Sequence, residues 1–67
     1  MIKVSAYSGY KVNERPLSFV LDGQNYIVKK ILEQWHEEDG NYFRVMADDM
    51  HRYKLKWDRR SDSWFII

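Results

Sequence analysis

Residues Asn25 to Trp35 read Asn-Tyr-Ile-Val-Lys-Lys-Ile-Leu-Glu-Gln-Trp, the longest apolar-rich run in the chain. Its conformation decides what the other residues can build. Two conformations compete for it. Ile27, Val28, Ile31, Leu32 and Trp35 recur at spacings of three and four, which on a helix makes one apolar stripe with Asn25 as N-cap. The charges oppose that helix: Lys29 and Lys30 would sit in its first turns and Glu37, Glu38 and Asp39 near its last, both against the macrodipole. The strand reading places Tyr26 and Val28 on one face. It then inserts one extra residue at Lys29-Lys30 and continues the same face with Ile31, Glu33 and Trp35. A β-bulge supplies such an extra residue and bends the strand. Tyr, Ile, Val and Trp also favour strands. The long bent strand is the preferred reading; an α+β chain with a helix at about 26–36 is the alternative.

The flanking sequence is strand-like on both sides. Ile2, Val4 and Ala6 alternate with Lys3 and Ser5, the period-two pattern of a half-buried strand. After a polar connection to Pro16, Leu17, Phe19 and Leu21 alternate with Ser18, Val20 and Asp22. Asp22-Gly23 and Asp39-Gly40 are hairpin-type turn signals. Phe43, Val45 and Ala47 alternate with Tyr42, Arg44 and Met46. A further turn at Ala47 to Met50 leads to Tyr53, Leu55 and Trp57, predicted inward, and Arg52, Lys54 and Lys56, predicted outward. Asp58 to Asp62 reads as a longer hairpin loop. Trp64 to Ile67 is apolar on both sides, so that strand is either covered twice or engaged with another molecule. Hairpin-length turns between five or six short strands predict an all-β antiparallel meander. It closes most economically as an SH3-like, partly open barrel, which also hides sheet edges.

Sixty-seven residues make a single domain, 1–67, with a small core and marginal stability. The chain has no cysteine, which removes disulfides, thiolate metal sites and thiol redox chemistry. Three Trp, five Tyr and three Phe supply the apolar area instead. A formal net charge of +1 gives no strong global field for nucleic acid or anionic membrane. No stretch approaches bilayer length and the first residues lack a signal-peptide core. The expectation is therefore a complete cytoplasmic protein of bacterial type with no membrane association.

A resemblance adds to this reading. The run Tyr7-Ser-Gly-Tyr-Lys-Val-Asn-Glu-Arg-Pro-Leu-Ser-Phe19 is followed by Gly23, Tyr26, Val28, Ile31, Leu32 and Trp35, and then by Tyr42-Phe-Arg-Val-Met-Ala-Asp-Asp49. Together these resemble a family of small bacterial domains of unknown function. That family carries an Arg-Pro-x-x-Phe element, a Gly-x-x-Tyr-x-Val-x-x-Ile-Leu-x-x-Trp strand and a Tyr-x-Arg-Val hairpin. The resemblance spans most of the chain and brings no catalytic residue with it. Relatives that lie beside DNA-repair polymerases imply a nucleic-acid link. The chain departs from the family pattern at Met50, where a Gly commonly follows the acidic pair.

Two surfaces are candidates for binding. Arg44, Arg52, Lys54 and Lys56, with Arg59 and Arg60 nearby, form a basic stripe beside the ring of Tyr42, the combination with which barrel domains hold single-stranded nucleic acid. Against this, Lys and Arg are also the ordinary solvated side of a half-exposed sheet, and the acids at 37–39 and 48–49 dilute the field. Trp64, Phe65, Tyr7 and Tyr10 are an aromatic excess suited to a protein partner or to self-association, although a cysteine-free mini-domain needs rings for its own core. His36-Glu37-Glu38-Asp39 and His51 lack metal-ligand spacing and read as turn residues. There is no nucleophile elbow, phosphate loop or Ser-His-Asp grouping, so neither enzyme activity nor a cofactor or small-molecule substrate is expected. The expected function is a non-catalytic protein-interaction or accessory module, with single-stranded nucleic-acid binding as the alternative. The candidate binding residues are Tyr42, Arg44, Arg52, Lys54, Lys56 and Trp64.

Overall fold

The computed structural model describes residues 2–6 and 15–67. Tyr7 and Tyr10, counted above among the surplus aromatics, lie outside them. Six strands follow one another: β1 (Lys3–Ala6), β2 (Pro16–Leu21), β3 (Gln24–Glu37), β4 (Gly40–Ala47), β5 (Arg52–Asp58) and β6 (Ser63–Ile66). Each pairs antiparallel with the next, in the spatial order β1-β2-β3-β4-β5-β6. The Ile2 amide donates to the Trp64 carbonyl at 2.9 Å, tying the first strand's entry to the last strand. The sheet thereby curls into a nearly closed, small SH3-like barrel. No helix is present among the described residues.

The run from Asn25 to Trp35 is thus a strand, part of one that pairs with two neighbours in turn along its length. Its first residues pair with β2, from Gln24 opposite Leu21 to Ile27 opposite Ser18. From Val28 onward it pairs with β4. The register slips between Val28 and Lys30, where a bulge was expected, and again between Ile31 and Glu33. The second slip corrects the face assignment. Glu33 and Trp35 stand opposite Arg44 and Tyr42, on the outside, rather than continuing the inward face of Ile31. A one-residue insertion sends every later side chain to the other side of a pleated sheet.

Leu17 departs from expectation for the same reason. Ser5 pairs with Ser18 and Ala6 with Pro16, so Leu17 is the extra residue and is 51 % exposed instead of facing inward with Phe19. Pro16 is buried and opens β2, a position where its missing amide costs no interior ladder bond. The Asp39-Gly40 signal also resolves differently. Glu38 and Asp39 make the turn, and Gly40, paired with Glu37 and Asp58, is the first residue of β4. A Cβ on Gly40 would collide with the Trp57 carbonyl oxygen. Glycine is needed there for the close approach of β5, not for left-handed backbone. Gly23, at φ +77°, is the glycine that the turn conformation itself requires.

Phe19, Phe43, Val45, Ala47, Leu55 and Trp64 fill the barrel. Ile2, Val4, Leu21, Tyr26, Val28, Ile31, Tyr53, Trp57 and Ile66 pack around them. Phe19, Tyr26 and Tyr53 form a ring cluster with centroids 5.1 to 5.6 Å apart. Rings stand in for the core volume that a longer chain would draw from aliphatic residues.

Candidate binding face

Alternation along β4 and β5 sends every second side chain to the outer surface, and cross-strand pairing sorts these into rows. One row runs Trp35, Tyr42, Lys56, Phe65 across β3 to β6. The next runs Glu33, Arg44, Lys54, and a third Lys30, Met46, Arg52. Tyr42, Arg44, Arg52, Lys54 and Lys56 therefore share one face, as expected from sequence. Trp64 does not join them: it points inward, 9 % exposed, with its ring 5.7 Å from that of Phe43. Apolar residues on both sides of β6 leave no alternation from which to read its inner face.

Trp35 is the member that the sequence reading placed elsewhere. Its ring stacks on Tyr42 with centroids 5.4 Å apart and planes 9° apart. Its indole N–H donates to Glu37 at 3.2 Å. Lys54 Nζ lies 5.5 Å from the centroid of Trp35, and Lys56 Nζ 5.6 Å from that of Tyr42, within cation–π range. Only a signal for the second bulge in β3 would have brought Trp35 to this face on paper.

The cations of the face are not equivalent. Lys56 donates to Asp39 at 2.7 Å and lies 3.5 Å from Asp58, its side chain 18 % exposed. Tyr42 donates to both oxygens of the same Asp39, at 3.1 and 3.0 Å. The Asp39 bond holds the Lys56 ammonium well above its ordinary pKa. In return Lys56 and the Tyr42 hydroxyl hold the Asp39 carboxyl below the usual range. Desolvation, then the bond to Asp39, pushes the Tyr42 hydroxyl up. Lys56 is thus a neutralised anchor of the β3–β4 turn. Arg44 pairs with Glu33 at 2.8 Å, both about half exposed, a contact worth little in water. Among the described residues no carboxylate lies within ion-pair distance of Arg52, Lys54 or Lys30.

Arg59 is occupied as well. It donates to the carbonyls of Glu38 and Glu37 at 2.6 and 3.2 Å, and its own amide donates to the Asp39 carbonyl at 2.9 Å. It clamps the β3–β4 turn to the β5–β6 loop. An open groove between these two hairpin ends is lined by Glu38, Asp39, Asp58, Arg59 and Arg60. His36 Nδ1 lies 2.6 Å from Asn41 Oδ1, and His51 Nδ1 3.2 Å from Asp49. Among the described residues no three His, Asp or Glu side chains converge as a metal site would need.

The fold and this face define a small barrel with a mixed aromatic and cationic outer surface. Comparison with protein-family models, with characterised proteins and with solved structures finds no match to the chain. No helix is long and apolar enough to cross a membrane among the described residues.

Proposed function

We propose that this domain is a non-catalytic binding module that takes single-stranded nucleic acid on the outer face of β3 to β6. The observation that carries the reading is the Trp35–Tyr42 stack set beside Arg44, Lys54 and Arg52 on one continuous surface. Flat bases stack on rings whatever their sequence, and a row of cations follows the phosphates. Lys30, Arg44, Arg52 and Lys54 against Glu33 leave this end of the face formally at +3. The proposed setting, the bacterial cytoplasm, rests on the cysteine-free composition and on the family resemblance.

Anisotropy of a labelled oligothymidylate over a salt series tests the proposal. Four available cations predict a logarithmic slope of about −2 to −3 for a single strand. Absence of salt-dependent association at low ionic strength would remove it. A second reading, protein association, is favoured by Phe65 and by the 56 % exposed Ile67 at the β6 end of the face. Light scattering across the accessible concentration range tests its self-association form, and a monomer throughout would sink that form.

A further inference from the structure

Arg44, Arg52, Tyr53, Lys54 and Ile67 line one open depression of about 330 Å³ on the outer face. Arg44 stands directly opposite Lys54, and Arg52 is two residues along the same strand face. Like charges directly opposite each other weaken a sheet, so sheet stability does not account for this grouping. Glu33 offsets only Arg44, through an exposed contact. Lys56 makes a poor anion seat, being already held by Asp39 and Asp58. The face is therefore polarised, with stacked rings and a satisfied lysine at one end and unneutralised cations at the other. Lys54 joins the two, its ammonium 5.5 Å from the centroid of Trp35.

We propose that the Arg44–Arg52–Lys54 depression is a phosphate seat, receiving the phosphate of a nucleotide whose base packs at Trp35. The two guanidinium groups suit bidentate contact with phosphate oxygens, and the ammonium supplies a movable third donor. Glu33 competes with the ligand for Arg44. The inference deepens the function proposed above and rests on it for the identity of the base-bearing ligand.

NMR titration of the full chain with inorganic phosphate, and then with oligothymidylate, tests it in the wild type and in Arg52→Gln, Lys54→Gln and Glu33→Gln. Both ligands are expected to shift the side-chain N–H signals of Arg44 and Arg52 and the backbone amides of 52–54. Arg52→Gln and Lys54→Gln are each expected to weaken the oligonucleotide about twofold to fivefold, the size of one exposed charge contact. Each should also remove about 0.7 from the salt slope. Glu33→Gln is expected to tighten binding by releasing Arg44, a gain that misfolding cannot mimic. Oligonucleotide binding untouched by all three variants would overturn the seat and leave the strand-binding function standing. Phosphate shifts at these residues with no oligonucleotide binding would support the seat and sink that function. Displacement of the oligonucleotide by polyglutamate at equal charge concentration would overturn phosphate as the group recognised.

Discussion

The indole of Trp35 lies flat on the phenol ring of Tyr42, on the solvent side of a sheet whose inner side holds Trp64 against Phe43. Two tryptophans thus have opposite duties, and substitution separates them. Trp35→Ala is expected to weaken oligothymidylate binding by about 1–3 kcal/mol, the worth of one base stack, while costing the fold only about 0.5–1.5 kcal/mol. Trp64→Ala empties a core position and should cost about 3–5 kcal/mol of stability. Urea midpoints and oligonucleotide affinities measured on both variants check the assignment. A larger stability loss in Trp35→Ala than in Trp64→Ala would reverse it.

Gly40 and Gly23 are required for different reasons, and alanine distinguishes them. At Gly23 the surroundings are open and only the φ of +77° resists a side chain, so Gly23→Ala should cost about 1–2 kcal/mol. At Gly40 a methyl group meets the Trp57 backbone, and the strands must part to admit it. Gly40→Ala is expected to cost about 3 kcal/mol, the upper end for overpacking. Chemical denaturation that ranked the two the other way would refute the close-approach explanation.

Met50 is 72 % exposed and holds φ at +67°. Relief of left-handed strain is worth about 1–2 kcal/mol, less the 0.4–1 that glycine adds to the unfolded chain's entropy. Met50→Gly should therefore raise stability by roughly 0–1.6 kcal/mol. A lower melting temperature in this variant would show that the Met50 side chain makes a contribution its exposure hides.

Stability should fall at both ends of the pH scale. Asp39, Asp49 and Asp58 are held below the ordinary carboxylate range, chiefly by bonds from Lys56, Tyr53 and Ser61 respectively. A depressed carboxylate adds stability above its unfolded pKa and loses it as the pH drops through its folded value. The acid limb should thus begin below about pH 4. Tyr53, pushed up to about 12 by its 2.6 Å bond to Asp49, acts in the opposite sense, as does the raised Lys56. Their contribution is complete below the unfolded values and lost as the pH rises through the folded ones, so the alkaline limb should begin above about pH 10. Asp49→Asn should bring the Tyr53 titration, followed by ultraviolet absorbance, back towards that of free tyrosine. An unchanged titration would place the cause elsewhere.

The amino-acid sequence by itself determined the other strands, favoured a strand over a helix for β3, and fixed most turns and the faces of β4 and β5. Period-two alternation and Asp-Gly signals are local properties that neighbouring residues enforce without help. It also determined that Tyr42, Arg44, Arg52, Lys54 and Lys56 share a surface, because each lies on an unbroken alternation. The sequence located one break in alternation, at Lys29-Lys30, and only the tertiary structure decided the others. The slip at Leu32 carries Trp35 outward, and the one at Leu17 exposes a leucine. Those two bulges are set by cross-strand register, which the local pattern at Leu17 and Leu32 does not signal. Tertiary structure likewise put Trp64 inside and placed Asp39 on Lys56 from 17 residues away, neutralising a cation that the sequence alone counts as free.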